Sequence, residues 1–170
     1  QAFMAVADHI TPEGQFIWPN DKDMYWAGSH EHAWRLEPLL MGFIWADGVF
    51  SDDERDHVAA ALRRAADWLI ANPCIQHNNR GIVWCAIVML CGLYYDDSAM
   101  QDVAASEIEA ILRGVILEDG EIGEHTKQYA GGGPCTNYTY TGLGYVYLYR
   151  LFSGDDGLDT LLMQGARWLS

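Results

Sequence analysis

Six stretches of the chain repeat apolar residues at helical spacing, and no segment of comparable length alternates as a strand would. They run through Ala33 to Trp45, Val58 to Ile70, Ile82 to Tyr94, Val103 to Leu117, Leu143 to Phe152 and Leu158 to Leu169. Turn-forming pairs interrupt the period where one helix must end before the next: Asp47-Gly48, Asp96-Asp97, Asp119-Gly120 and Gly154-Asp155. The pattern predicts an all-α protein. Half of the residues are apolar, enough to close a core in a chain of 170 residues.

The helices alternate in character. One kind is apolar nearly all round and ends in an aromatic-then-acid signature, as in Trp45-Ala46-Asp47, Tyr94-Tyr95-Asp96 and Phe152-Ser153-Gly154-Asp155. Its partner carries a single apolar stripe, most plainly in ERDHVAAALRRAADWLI. Aligning Asp47, Asp96 and Asp155 gives a repeat of roughly fifty to sixty residues, the second period lengthened by the glycine run Gly131-Gly132-Gly133. Such pairs suit two concentric rings. The expected fold is an incomplete α/α toroid of three hairpins, over about 29–72, 77–118 and 136–170, after a loop-rich lead-in over 1–28. The remainder of a longer chain or a neighbouring subunit is expected to complete the ring.

Charge narrows the partners. Ten Lys and Arg against 24 Asp and Glu leave a net charge of −14, which repels phosphate backbones and anionic membranes. Nucleic acid is not an expected partner. No apolar run reaches the roughly 20 residues of a bilayer span, so no membrane is expected either. Cys74, Cys85, Cys91 and Cys135 form no close CxxC pair, and no metal or other cofactor is expected. The acidity suits a secreted or periplasmic protein.

Polar residues gather just before or at the start of each mainly apolar helix. The first cluster is His30, Glu31, His32 and Arg35; the second is His77, Asn78, Asn79 and Arg80; the third is Asn137, Tyr138 and Tyr140. Ordinary N-capping accounts for an isolated Asn at such a place. A His, two Asn and an Arg in four consecutive positions, one repeat after a His-rich cluster, go beyond capping. Glu124, His125, Tyr129, Tyr138 and Tyr140 could reach a shared cleft from the glycine-rich connection, and Trp18, Trp26 and Trp34 flank the first cluster as sugar-stacking candidates. Helix N-termini add unpaired N–H groups and partial positive charge, which favour an anionic ligand.

These residue types suit β-elimination of a uronic-acid glycoside. An amide or cation neutralises the carboxylate so that the adjoining C–H can be deprotonated, and a Tyr or His carries the proton transfers. Arg80 or His125 would favour an ionised tyrosine.

HNNR before an apolar helix, then DGEIGEH, a tyrosine and a glycine-rich turn into NYTYTGLGYVYLYRL, resemble the toroid domain of polysaccharide lyases of the chondroitin AC and hyaluronate lyase type and of the heparinase II/III-like group. The resemblance spans about Gln76 to Leu151. It implies that Asn79 neutralises the carboxylate while His125 and Tyr138 transfer protons, with Glu124 beside the His. The interval from His125 to Tyr138 is longer than the family's, so Tyr129 stands as a rival. The family's later arginine and its β-sandwich have no counterpart. The expected substrate-binding set is His77, Asn78, His30, His32, Glu124, Trp26 and Trp34, with an acidic polysaccharide or oligosaccharide as ligand. Two other readings remain open: a toroid glycoside hydrolase using carboxylates such as Glu31, Glu124 or Asp119, and a non-catalytic helical-repeat binding protein.

Overall fold

The computed structural model describes residues 2–17, 29–74, 79–115, 120–122 and 136–170. Seven α-helices occur among them: α1 (Ala2–Ala7), α2 (Ser29–Trp45), α3 (Asp52–Ala71), α4 (Asn79–Tyr94), α5 (Ser98–Val115), α6 (Thr136–Ser153) and α7 (Asp159–Leu169). Extended pairing among the described residues is limited to one antiparallel bridge, Ile10 with Phe16. The all-α expectation therefore holds among the described residues, where each of the six periodic stretches coincides with a helix. Helix α1 was not anticipated. The chain divides into two compact units, Gln1–Pro73 and Cys74–Ser170.

In unit 1, α3 begins with a reciprocal cap. Ser51 Oγ accepts from the Glu54 N–H at 3.4 Å, and Glu54 Oε2 accepts from the Ser51 N–H at 3.0 Å. Asp52, Asp53 and Glu54 fill the first turn, where negative charge opposes the helix dipole. Val58, Ala61, Leu62, Ala65 and Leu69 then recur at three- and four-residue steps and bury one face, matched by Ala33, Leu36, Leu40 and Phe43 of α2. Helix α1 packs on α3, and Phe3 meets Phe50 edge-on at 5.5 Å. Gly14, at φ +94°, lies so close to the Arg64 carbonyl that a Cβ has no room.

Unit 2 is built round α4, which packs on both α5 and α6. Asn79 and every residue from Gly81 to Gly92 are buried, as the all-round apolar pattern predicts. The helix ends in a Schellman turn: the Asp97 N–H reaches the Gly92 carbonyl at 2.8 Å, the Asp96 N–H reaches Leu93, and Asp96 sits left-handed at φ 52°. Asp97 Oδ1 then accepts from the Met100 N–H and starts α5. The acid pair thus both stops one helix and caps the next.

The hairpin is antiparallel, since Gln101 Nε2 donates to the Gly92 carbonyl at 3.1 Å while Glu107 lies near enough to Cys85 to act on its thiol. Beyond α5, Gly120 at φ +93° rests on the backbone of Gln164 and Gly165. Gly165 in turn lets α7 approach Leu143 of α6, and an Arg150–Asp159 fork at 2.8 and 3.1 Å ties α6 to the start of α7. Helix α6 departs from expectation because it is not apolar all round: one face is buried and the opposite face is exposed.

Candidate functional site

The first polar cluster belongs to unit 1, and there the structure corrects the reading of His32. Its ring is 4 % exposed, 4.6 Å from the Phe16 ring and 4.1 Å from the Trp68 ring. Nε2 lies 3.0 Å from the Gly14 carbonyl. A carbonyl can only accept, so Nε2 carries the proton. Burial pushes the pKa down to about 4, with the Gly14 hydrogen bond opposing and the Arg35 charge assisting. His32 is a neutral core residue that holds the Gly14 turn, a structural task in place of the ligand contact expected of it.

His30 is also buried, with Nε2 3.5 Å from Glu31 Oε1 and its ring edge-on to Trp34 at 5.5 Å. Trp34 is half-buried. Trp34 and His30 therefore share one contact, whereas His32, two residues on and so on the other side of the helix, packs against Trp68 of α3.

The second and third clusters belong to unit 2. Asn79 is the first residue of α4 and only 4 % exposed; Arg80 beside it is half-buried. The first turn of a helix has N–H groups without intrahelical partners and carries partial positive charge. Because α4 and α5 are antiparallel, α4 begins beside the end of α5. A few residues beyond that end, the Ile122 carbonyl accepts from Thr139 Oγ1 at 3.3 Å, and the Ile122 side chain fills the space beside Gly142. The connection from α5 thus arrives on the first turns of α6. Tyr138 lies in that same first turn, and its side chain is outside the description. Trp18, Trp26, His77, Asn78, Glu124, His125 and Tyr129 also lie outside the described residues.

The later tyrosines separate as a helical spacing of two requires. Tyr149 is 2 % exposed, and burial, with Cys85 and Asp155 nearby, pushes its pKa up to about 12. It stays protonated and packs. Tyr140 and Tyr147 are exposed. The sequence already carries that signal, since Tyr145, Tyr147 and Tyr149 at a spacing of two cannot all share one face of a helix and some must pack.

Cys74, Cys85 and Cys91 are buried, and desolvation raises the Cys85 thiol pKa far above its ordinary value. They act as small apolar side chains. Among the described residues no group of three or more His, Cys, Asp or Glu is placed to hold a metal ion. An open cleft of about 650 Å³ lies between α5 and α7, floored by Ile108, Leu112, Tyr149, Leu158 and Leu161. No described helix is long and apolar enough to cross a membrane. Comparison with protein-family models, with curated protein sequences and with solved structures finds no match to this chain.

Proposed function

We propose that the chain is the helical part of a polysaccharide lyase that cleaves a uronic-acid-containing polysaccharide by β-elimination. The observation that carries this reading is the opening of α4 with buried Asn79 and half-buried Arg80 beside the end of α5, whose continuation lands on the tyrosine-bearing first turns of α6. Parallel inner helices of an α/α toroid would bring those two starts to one mouth. In this arrangement the Asn79 amide donates to the sugar carboxylate, which lowers the cost of removing the adjoining ring proton. The electron pair released forms the carbon–carbon double bond, the bond to the bridging oxygen breaks, and that oxygen takes a proton. Tyr138 and His125 are assigned the two transfers, with Tyr129 the rival of Tyr138.

The remainder of a ring, from a longer chain or a neighbour, and an extracellular or periplasmic setting belong to the same proposal. The test is incubation with uronate polymers while following the absorbance of the conjugated unsaturated uronate. A lyase gives that absorbance; a hydrolase gives new reducing ends without it. Asn79→Ala is expected to lower kcat more than it raises KM, because its contact strengthens as charge develops. Tyr138→Phe should lower turnover about 10²-fold or more. Loss confined to Tyr129→Phe would transfer the role, and unsaturated ends from Asn79→Ala at the wild-type rate would remove Asn79 from the mechanism.

A further inference from the structure

Helices α5 and α7 bound a gap that neither of them closes. They scarcely touch each other, and α7 docks on α6 instead. The start of α7 is tied down by the Arg150–Asp159 fork, and its crossing is fixed where Gly165 meets Leu143 and where Gly120 lies on the Gln164 and Gly165 backbone. Sliding α7 toward α5 would break all three. The open cleft of about 650 Å³ between the two helices is therefore built into the unit, and its volume falls in the range of small-molecule sites.

The lining sorts into a floor and a rim. Ile108, Leu112 and Tyr149 are buried at the bottom, and half-buried Leu158 and Leu161 form the α7 wall. Glu109, Arg113 and Asp155 stand at the exposed rim, and their charges are not equally available. Arg113 is paired with Glu109 one turn away, and Arg150 nearby gives both arms of its fork to Asp159. Asp155 differs: Oδ1 accepts from the Gly157 N–H at 3.0 Å, and Oδ2 has no hydrogen bond among the described residues. Its charge also reaches the Tyr149 hydroxyl, whose ionisation it opposes. An uncommitted carboxylate oxygen beside an apolar floor attracts an ammonium and repels another carboxylate.

Shape and charge narrow the occupant. A second copy of this chain is opposed by its own net charge of −14. A partner helix is poorly served, because α7 offers only Leu158 and its first turn as a wall, whereas docking a helix in a groove takes anchors spread over two turns. We infer that the cleft is a binding site for a small organic cation with an apolar body, which rests the body on Ile108, Leu112 and Tyr149 and pairs its ammonium with Asp155. Tyr149 stands about 20 Å along α6 from the start of that helix, so the site is separate from the one assigned to β-elimination and does not depend on that reading.

The test is calorimetric titration of the whole protein with 4-phenylbutylamine, 4-phenylbutanol and 4-phenylbutyrate, which share one apolar body and differ in charge at neutral pH. The amine should bind about fivefold tighter than the alcohol, and the acid most weakly. Asp155→Asn keeps an oxygen for the Gly157 N–H and removes the charge, so it should bring the amine down to the affinity of the alcohol and leave the alcohol unchanged. The other acids of the chain remain in that variant, which separates pairing at this rim from attraction by the whole negative surface. Ala105→Trp, at an exposed position of the lining, should fill the cleft and abolish binding of all three. Circular dichroism checks that both variants are folded, and Asp155→Asn carries the test by itself should Ala105→Trp not fold. Equal affinity for amine and acid overturns the proposal, and so does a preference for the amine that survives Asp155→Asn. Binding that persists in folded Ala105→Trp places the ligand elsewhere, and a wild type that binds none of the three leaves no site; either overturns it. A basic amphipathic helical peptide that displaces the amine and binds more tightly would make the cleft a peptide groove and overturn it as well.

Discussion

Because the His32 ring is enclosed by Phe16 and Trp68 and gives its Nε2 proton to the Gly14 carbonyl, the second proton that would charge it must enter the core of unit 1. The folded pKa of about 4 lies below the ordinary 6.5. The contribution is therefore complete above pH 6.5 and falls as pH drops toward 4, where the unfolded chain takes up the proton and the folded one does not. At about 1.4 kcal/mol per pH unit the loss is of order 3 kcal/mol. Denaturant unfolding at several pH values should show the advantage of wild type over His32→Gln shrinking by this order across that window; a constant difference would contradict the assignment. Gly14→Ala should cost about 2 kcal/mol or more, read in the same unfolding experiment, since it combines a left-handed residue with a backbone clash at Arg64. His32 shows where sequence reading ends. Three polar letters, His-Glu-His, look like a solvent-facing cluster, and only the tertiary packing of Trp68 and Phe16 buries one of them.

At the scale of the element, the turn between α4 and α5 carries a penalty that glycine would remove. Asp96 holds φ 52°, a conformation costing an L-residue of ordinary type about 1 kcal/mol. Asp96→Gly is expected to raise the unfolding free energy by about that amount, and a lower value would mean that the Asp96 side chain stabilises the turn. Helix α7 depends on Gly165, its one buried residue, at the crossing with Leu143. Gly165→Ala should destabilise by about 1–3 kcal/mol through overpacking, and adding Leu143→Ala should recover part of it; strict additivity of the two losses would refute the contact. The helices were legible because apolar spacing over three or more turns is a strong signal. Helix α1 was not, since six residues hold too little periodicity and its stability comes from docking on α3. In α6 the aromatic letters gave the helix but hid its two faces. The site was legible as residue types at helix starts. Their relation in space was not, because it depends on which helix ends the connections bring together.

Over the whole molecule the excess of negative charge sets a general sensitivity. Carboxylates repel one another more in the compact state than in the expanded one. Raising ionic strength from about 10 mM to about 150 mM shortens the screening length from roughly 30 to 8 Å, and the melting temperature should rise with it. A fall would mean that ion pairs such as Arg150–Asp159 outweigh the repulsion. Each unit carries half of this surplus, but the charge is spread unevenly along the chain: α3 opens with three acids, while the stretch from Thr136 to Tyr149 has none.

Helix α4, enclosed along nearly its whole length, also sets a clock. Its amide protons can meet solvent only when α5 and α6 come away, so local fraying offers them no route to exchange. In deuterium oxide they should be the last of unit 2 to be replaced, while those on the bare side of α6 go early. That ordering would make the slowest amides a gauge of the complete opening of the unit.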